Sequence, residues 1–312
     1  MDSDDRALLE ASLAGAVAAD GGADTTDAAL AQLGWDDMLA TEPVTATAVV
    51  FERLGRVGAR SGALDDVVAH HLGLPTGTAV VHPPWGAGRP SGVRNGRRLD
   101  GEGTSGARRR TVDRAHVLLA DGVAAVAAEA LEPISSGADQ DHARVILDGA
   151  QIVEWMPVAP ETMARAVAGA RLAIGHQLHG IAESMLRLAR DHAVDRIQFG
   201  RPIASFQAVR HRLAETLVAV EAAAAALAVA DDEPSPLTAD LARIVAGRAA
   251  LAAARHGQQV LAGIGFTRDH DFHGYLFASL ELDGLYGTTP SLVRDVGRAL
   301  LRHRDIPRVI DL

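Results

Sequence analysis

Two polar segments lie where predicted helices end, and both contain residue types that suit an anionic ligand. The first, residues 195–215, links the two longest predicted helices; Gly200 and Pro202 end one helix and Ser205 caps the next. The second, residues 259–267, follows the third long helix. Backbone groups at helix ends bind anions, and glycine lets a ligand approach the backbone closely. We therefore take both segments as candidate anion sites.

A metal-like spacing occurs on the first long helix. His176 and His179 stand three apart, Glu183 follows four positions later, and His270 and His273 repeat the first spacing. These intervals place the side chains on one helix face, but one helix supplies too few ligands for a complete site. We expect no metal.

Composition excludes several kinds of chemistry. The chain has no cysteine, and its 30 basic residues are all arginine. Thiolate catalysis, cysteine zinc sites, Schiff-base lysines and P-loop lysines are therefore absent. A formal net charge of −10 argues against binding nucleic acid or an anionic membrane. With no signal-like N-terminus and no apolar run that we judge long enough to span a bilayer, we expect a cytoplasmic protein.

Hydrophobic patterning divides the 312 residues into three parts. Residues 1–75 predict a helical domain with helices over 28–39 and 45–71. Residues 76–158 predict a reduced β-rich middle domain, in which the Gly- and Arg-rich stretch 86–110 is expected to be a solvated loop. Residues 159–312 predict an up-and-down helical bundle. The fold class is thus mostly α with a small β middle domain.

The first bundle helix carries an apolar stripe over residues 163–188. A stripe of this length would be a liability on a monomer. We therefore expect the bundle helices to form the oligomer interface.

The first polar segment is similar to a known family signature. Residues 196–215 match R-x-x-F-G-x-x-[IL]-x-x-x-Q-x-[VI]-x-x-x-[LI]-A-[ED], the signature of the acyl-CoA dehydrogenases, at nearly every defined position. Residues 259–266 resemble the family's Q-x-x-G-G-x-G-F segment, with Ala262 in place of the first glycine. The resemblance implies an N-terminal helical domain, a central β-barrel and a C-terminal four-helix bundle. It also implies FAD as cofactor and oxidation of an acyl-CoA thioester across Cα–Cβ.

The resemblance implies roles for individual residues. Arg196 matches an arginine that reaches the FAD pyrophosphate of a neighbouring subunit, and a guanidinium suits that task because it forms two parallel hydrogen bonds. Arg171 matches the arginine beside the alternative glutamate position, and it is the implied substrate-binding residue. The other implied cofactor-binding residues are Gln198, Phe199, Gln259, Gly263 and Thr288.

The catalytic glutamate is missing from both positions that the family uses. Where a Y-E-G-T motif is expected, this chain has Leu285-Tyr286-Gly287-Thr288. At the alternative position, before Arg171, it has Ala170, which cannot accept a proton. We therefore assign no catalytic residue. Three carboxylates could be proposed as a displaced base, and we expect each to be solvated: Glu183, Glu281 and Asp283.

The middle domain also departs from the family. We find neither T-E-P-x-[AG]-G-S-D nor W-[IV]-[TS], the segments that face the flavin ring. The chain thus looks like a truncated subunit of the heteromeric actinobacterial enzymes that act on steroid side-chain CoA thioesters in lipid breakdown. The implied partner is a full-length dehydrogenase subunit that supplies the glutamate in a hetero-oligomer, for example a heterotetramer. Two alternatives stay open: a homo-oligomeric flavin enzyme with a displaced base, and a non-enzymatic helical scaffold.

Overall fold

A computed structural model describes residues 3–18, 22–90, 92–134 and 142–303. The helices are α1 (Ser3–Ala16), α2 (Ala23–Gln32), α3 (Trp35–Thr41), α4 (Pro43–Val57), α5 (Ala63–Leu72), α6 (Pro160–Asp195), α7 (Gln207–Asp232), α8 (Pro236–Leu261), α9 (Phe272–Gly284) and α10 (Thr289–His303). The strands are β1 (Ala79–His82), β2 (Val93–Asn95), β3 (Arg98–Ser105), β4 (Arg114–Leu119), β5 (Gly122–Ala127), β6 (Glu132–Ile134), β7 (Ala143–Pro157), β8 (Ile197–Gln198) and β9 (Arg201–Pro202). The predicted fold class, mostly α with a small β part in the middle, is confirmed.

Glycines in the left-handed region divide both predicted N-terminal helices. The helix predicted over 45–71 ends as α4 at Val57, because Gly58 adopts φ 66° and caps it; α5 then begins at Ala63. In the same way Gly34, with φ 79°, separates α2 from α3. The single helices predicted here were therefore wrong, since periodicity alone does not show where a left-handed glycine stops a helix.

The middle part is a closed sheet. Its strand order is β2-β3-β1-β4-β5-β7-β6, and β3 also pairs with β7, so five strands close into a small barrel. The barrel encloses its own apolar core, which includes Val81, Leu99, Val117, Val126 and Val145.

Strands β2 and β3 occupy much of the stretch that we expected to be a solvated loop, so that prediction was wrong. The stretch is poor in apolar residues, but one of them, Leu99, is fully buried where β3 faces the barrel interior. The backbone of β3 is held by pairing with β1, β2 and β7.

Helix α6 is the centre of the molecule, and it packs against α4, α5, α7, α8 and α9. Its predicted stripe lies in the core of this chain, where Met163, Ile174, Leu178 and Met185 are buried. The expectation that this stripe is exposed was therefore wrong, and an oligomer interface formed by the bundle helices stays a prediction.

Helix α7, in contrast, leaves apolar side chains exposed. Leu217, Val218 and Val229 are each about half exposed or more. By length and composition α7 could also cross a membrane, a property that we did not expect of any segment; 28% of its most apolar window is buried. Core helices of soluble proteins also meet these two criteria, so the finding is weak evidence for a membrane span.

Two glycines let α4 lie directly on α6. A Cβ atom on Gly55 would stand 2.1 Å from the carbonyl oxygen of Gln177, and one on Gly180 would stand 2.3 Å from the carbonyl oxygen of Glu52. Any larger residue would push the helices apart. The close crossing fixes the N-terminal helices against the bundle.

Candidate functional site

The first polar segment forms a small hairpin at the C-terminal end of α6. Strands β8 and β9 pair antiparallel, with Gln198 opposite Arg201. Phe199 and Gly200 form the turn, with φ of 53° and 75°. Phe199 is 91% exposed, although its ring lies edge-on to that of Phe206. The hairpin thus presents a large apolar ring and two arginines, Arg196 and Arg201, at one end of the bundle.

The second polar segment reaches the same end. Helix α8 stops at Leu261, and a short 3₁₀ turn covers Ala262–Phe266. Val260 packs with Ala193 of α6 and Ile203 of the hairpin connection, which joins the two segments. Ala262 has φ 52°, a conformation that glycine adopts more easily, and this explains the glycine in the family motif.

Three of the predicted cofactor-binding groups at this end are open. Arg196 forms no ion pair with any residue that the structure describes, and its side chain is exposed. Gln259 is exposed as well, and a Cβ atom on Gly263 would meet nothing within 4 Å. Gln198 turns its amide onto the neighbouring carbonyl oxygen of Ile197, 2.8 Å away.

Thr288 lies elsewhere, in the segment 284–289, which runs from the last residue of α9 to the first residue of α10 and is called the loop 284–289 below. Its hydroxyl donates to that of Ser291. That loop meets α6 at Arg171. Arg171 and Arg196 are 25 positions apart along α6 and its C-cap, which is about 37 Å at 1.5 Å per residue. The structure therefore separates the predicted residues into two regions.

In the second region, both positions of the missing glutamate are closed. Ala170 is fully buried, and so is Tyr286, the residue that precedes the Gly-Thr pair. The Tyr286 hydroxyl lies 2.8 Å from Nδ1 of His82, and Nε2 of His82 lies 2.8 Å from Oδ1 of Asp65. Burial raises the pKa of Tyr286 well above its ordinary value, and the nearby Asp65 carboxylate adds to this. The phenol is therefore a neutral donor.

Arg171, which we predicted on the substrate side, makes its contacts inside the chain. It pairs with Asp240 at 2.6 Å and donates to the carbonyl oxygens of Tyr286 at 3.1 Å and Gly88 at 3.0 Å. Its side chain is 13% exposed. All three guanidinium nitrogens are thus engaged within this subunit.

A second arginine, Arg243 of α8, is fully buried beneath the same loop. It donates to the carboxylate of Asp283 at 3.2 Å and to the carbonyl oxygen of Leu282 at 3.3 Å. Asp283 also accepts from the backbone N–H of Thr289 at 3.1 Å. The loop is therefore fixed from both α6 and α8.

The three carboxylates that could have been a displaced base all have partners. Asp283 is held by Arg243, and Glu183 pairs with Arg56 at 2.7 Å. Glu281 is 15% exposed and accepts from the backbone N–H and Nδ1 of His142 at 2.9 and 2.8 Å. Burial alone would raise the pKa of Glu281, but the contacts with His142 lower it below its usual value. Our expectation of a solvated side chain was wrong for Glu281.

The side chains of the metal-like spacing have partners within the chain. Nε2 of His176 lies 3.0 Å from Asp231, away from His179. Ligand atoms of His179, Glu183 and Glu52 do lie within 4.8 Å of one another, but Arg56 binds both of these glutamates. The guanidinium thus stands where a cation would be needed.

Several structurally important residues escaped the sequence analysis. Arg108, expected in a solvated loop, is 12% exposed and pairs with Asp66 at 2.5 Å and Asp27 at 3.1 Å. The signal was Asp65-Asp66, two acidic residues in an apolar stretch, both now buried.

The same fold occurs in solved acyl-CoA dehydrogenases. The "Tcur3481-Tcur3483 steroid ACAD G363A variant" superposes with a TM-score of 0.80 at 18% identity, over 96% of this chain and 97% of that chain. The ChsE4-ChsE5 complex from Mycobacterium tuberculosis gives 0.74 at 20% identity over 98% and 97%. A glutaryl-CoA dehydrogenase from Mycobacterium smegmatis in complex with FADH2 gives 0.70 at 16% over 98% and 97%. The fold is that of an acyl-CoA dehydrogenase.

The sequence agrees over the bundle. The family model "Acyl-CoA dehydrogenase, C-terminal domain" matches residues 161–301. Acyl-CoA dehydrogenase IpdE2 of M. tuberculosis is 46% identical over 96 residues, which is 31% of this chain and 30% of that protein. FadE34 of the same organism is 40% identical over 124 residues, 38% and 17% of the two chains. Residues 161–301 therefore match the C-terminal domain of the acyl-CoA dehydrogenases, and the aligned parts span less than a third of the length of these two relatives.

Proposed function

We propose that this chain is a non-catalytic subunit of a heteromeric acyl-CoA dehydrogenase. The complex would oxidise an acyl-CoA thioester across Cα–Cβ, with FAD as the hydride acceptor. One contrast carries the proposal. At the open end of the bundle Arg196 is exposed and forms no ion pair with any described residue, whereas Ala170 and Tyr286, at the two positions of the missing glutamate, are buried and carry no carboxylate.

The open end has the chemistry that half of an FAD molecule requires. The Arg196 guanidinium can bind two oxygens of the pyrophosphate, because its fork of N–H groups matches that geometry. The exposed amide of Gln259 and the uncovered backbone at Gly263 offer neutral polar contacts beside it. FAD itself supplies the hydride acceptor. Its flavin ring and the proton-abstracting glutamate would belong to the partner subunit.

Two structural relatives support a partner and a bulky substrate. One is described as a complex of ChsE4 with ChsE5, and the other as a steroid dehydrogenase of two components. By analogy we propose a full-length dehydrogenase subunit as partner, a steroid side-chain CoA thioester as substrate, and a cytoplasmic location.

The test is the flavin affinity of the copurified complex. Removing a charged hydrogen-bonding partner costs about 1.5–3 kcal/mol, so Arg196→Ala should weaken FAD binding by roughly ten- to a hundredfold. Arg196→Lys should recover only part, because an ammonium cannot make the bidentate contact. Arg187→Ala removes an arginine of the same helix that is 53% exposed, and it should leave the affinity unchanged. Full flavin content at unchanged affinity in Arg196→Ala would contradict the assignment.

The same preparation separates the alternatives. The proposal expects colour and turnover only when the partner is present. A yellow, active preparation of this chain alone, inactivated by Glu281→Gln, would indicate a homo-oligomer with a displaced base. A lack of flavin with and without partner would indicate a scaffold.

A further inference from the structure

We infer that Tyr286 closes the acyl site of this chain from within. Tyr286, His82 and Asp65 form a buried chain of hydrogen bonds, which we name the Tyr286 latch, and it holds the loop 284–289 against β1 and α5. The inference deepens the proposed function. It explains why a chain that lends its open end to a cofactor would itself bind no acyl-CoA.

The backbone of Tyr286 is the first observation. Its φ of 55° is rare for an aromatic residue, and such conformations persist only where the surroundings hold them. Here the carbonyl oxygen of Tyr286 accepts from Nε of Arg171, and the hydroxyl is bonded to His82. The residue is therefore held at both its backbone and its side chain, and the ring is directed into the core.

The hydrogen-bond chain is complete in one tautomer. The Asp65 carboxylate accepts a hydrogen bond from Nε2–H of His82, which leaves the lone pair of Nδ1 to accept a hydrogen bond from the Tyr286 hydroxyl. Asp65, His82 and Tyr286 are 3%, 2% and 0% exposed. Loss of any member would leave a buried polar group without a partner, so the three side chains stabilise one another.

The segment that follows β1 covers the loop from the other side. The backbone N–H of Gly86 donates to the carbonyl oxygen of Gly284 at 2.8 Å. The Trp85 ring lies so close to Gly284 that a Cβ atom there would be 2.2 Å from it. Arg171 ties Gly88 to the same loop. The position of the missing base is thus enclosed by this chain's own residues.

This arrangement predicts more than a missing base does. If the site lacked only its base, Tyr286→Glu would provide one, and the chain would still bind acyl-CoA. If the latch closes the site, a carboxylate at position 286 would face His82, and no acyl group could reach it.

The experiment has two arms on the full chain without flavin or partner. In hydrogen exchange, Tyr286→Phe should speed exchange of the Leu285 and Thr289 amides about tenfold, the effect of one lost buried hydrogen bond. Tyr275→Phe is the matched control, because it removes one tyrosine hydrogen bond, to the carbonyl oxygen of Arg56. In calorimetry with butyryl-CoA and octanoyl-CoA up to 1 mM, neither the unmodified chain nor Tyr286→Glu should bind.

Unchanged exchange in Tyr286→Phe, or one equivalent of acyl-CoA bound by either protein, would overturn the latch. Neither arm depends on flavin. If Arg196→Ala leaves flavin affinity unchanged, the hydrogen-exchange and calorimetry results still test the Tyr286 latch. If the latch is contradicted, the proposed contact between Arg196 and the FAD pyrophosphate is not affected.

Discussion

Arg171 offers the sharpest test of whether the acyl region binds substrate or supports the fold. In Arg171→Met, Asp240 loses its partner, and the carbonyl oxygens of Tyr286 and Gly88 lose a donor. Breaking a buried ion pair costs about 3–5 kcal/mol. Because the Arg171 and Asp240 side chains are 13% and 19% exposed, we expect the lower end, about 3 kcal/mol of unfolding free energy. Replacement of a substrate-binding arginine in an open site would reduce the free energy of unfolding far less.

Urea unfolding of the isolated chain measures this difference. Arg187→Met is the control, since its pair with Asp191 is about half exposed and should contribute under about 0.5 kcal/mol. The double variant Arg171→Met/Asp240→Leu should regain much of the loss, because it leaves no unpaired buried carboxylate. A loss below about 0.5 kcal/mol in Arg171→Met would refute the structural role and return Arg171 to the substrate.

Two further predictions concern packing and pH. Gly180→Ala should destabilise the chain by about 1–3 kcal/mol, because the added methyl group would clash at the α4–α6 crossing. Gly297→Ala is the control: a Cβ atom there meets nothing within 4 Å, so this substitution should stabilise the chain by up to about 1 kcal/mol. Urea unfolding midpoints measure both effects, and equal effects of the two substitutions would contradict the close crossing. Burial, helped by His70 and Arg165, lowers the pKa of His71 to about 4, below the ordinary 6.5. The unfolded chain therefore takes up the proton first, and up to about 3 kcal/mol of stability should be lost as pH falls from 6.5 to 4. Urea unfolding between pH 6.5 and pH 4 measures this loss of stability. The loss should be smaller in His71→Gln than in the unmodified chain, and His211→Gln, which changes an exposed side chain, should behave like the unmodified chain. The same pH dependence in all three proteins would contradict the assignment to His71.

The bundle was predictable because its helices are long and their apolar residues recur at helical spacing. What that spacing could not show is which neighbour covers a stripe: the stripe of α6 is covered by α4, α5 and α8 of the same chain. Strand β3 was missed for a related reason. Its Gly, Thr and charged residues give no alternating pattern, and pairing with three neighbours holds it in place.

The two candidate regions differ in the same way. The open end was predictable because its residues fall in two short, continuous segments. The Tyr286 latch joins residues that are 204 and 17 positions apart, so no local pattern reveals it. The missing glutamate was visible in the sequence, but the fact that its replacement is bonded into the core was not.

The open end of α6 has features that are unfavourable for the stability of this chain by itself. Phe199 is 91% exposed and has a positive φ, so it combines a strained backbone with an uncovered aromatic ring. Ile197 and Phe266, 62% and 68% exposed, add apolar surface at the end of the bundle where Arg196 forms no ion pair with the part of the chain that the structure describes. Burial of one such aromatic ring contributes about 1.5–3 kcal/mol of favourable free energy, and this chain alone does not gain it at Phe199. Such a surface is typical of a binding site. A partner that covers the aromatic rings, with a cofactor whose phosphates pair with Arg196, would add the free energy of apolar burial and that of a charged hydrogen bond.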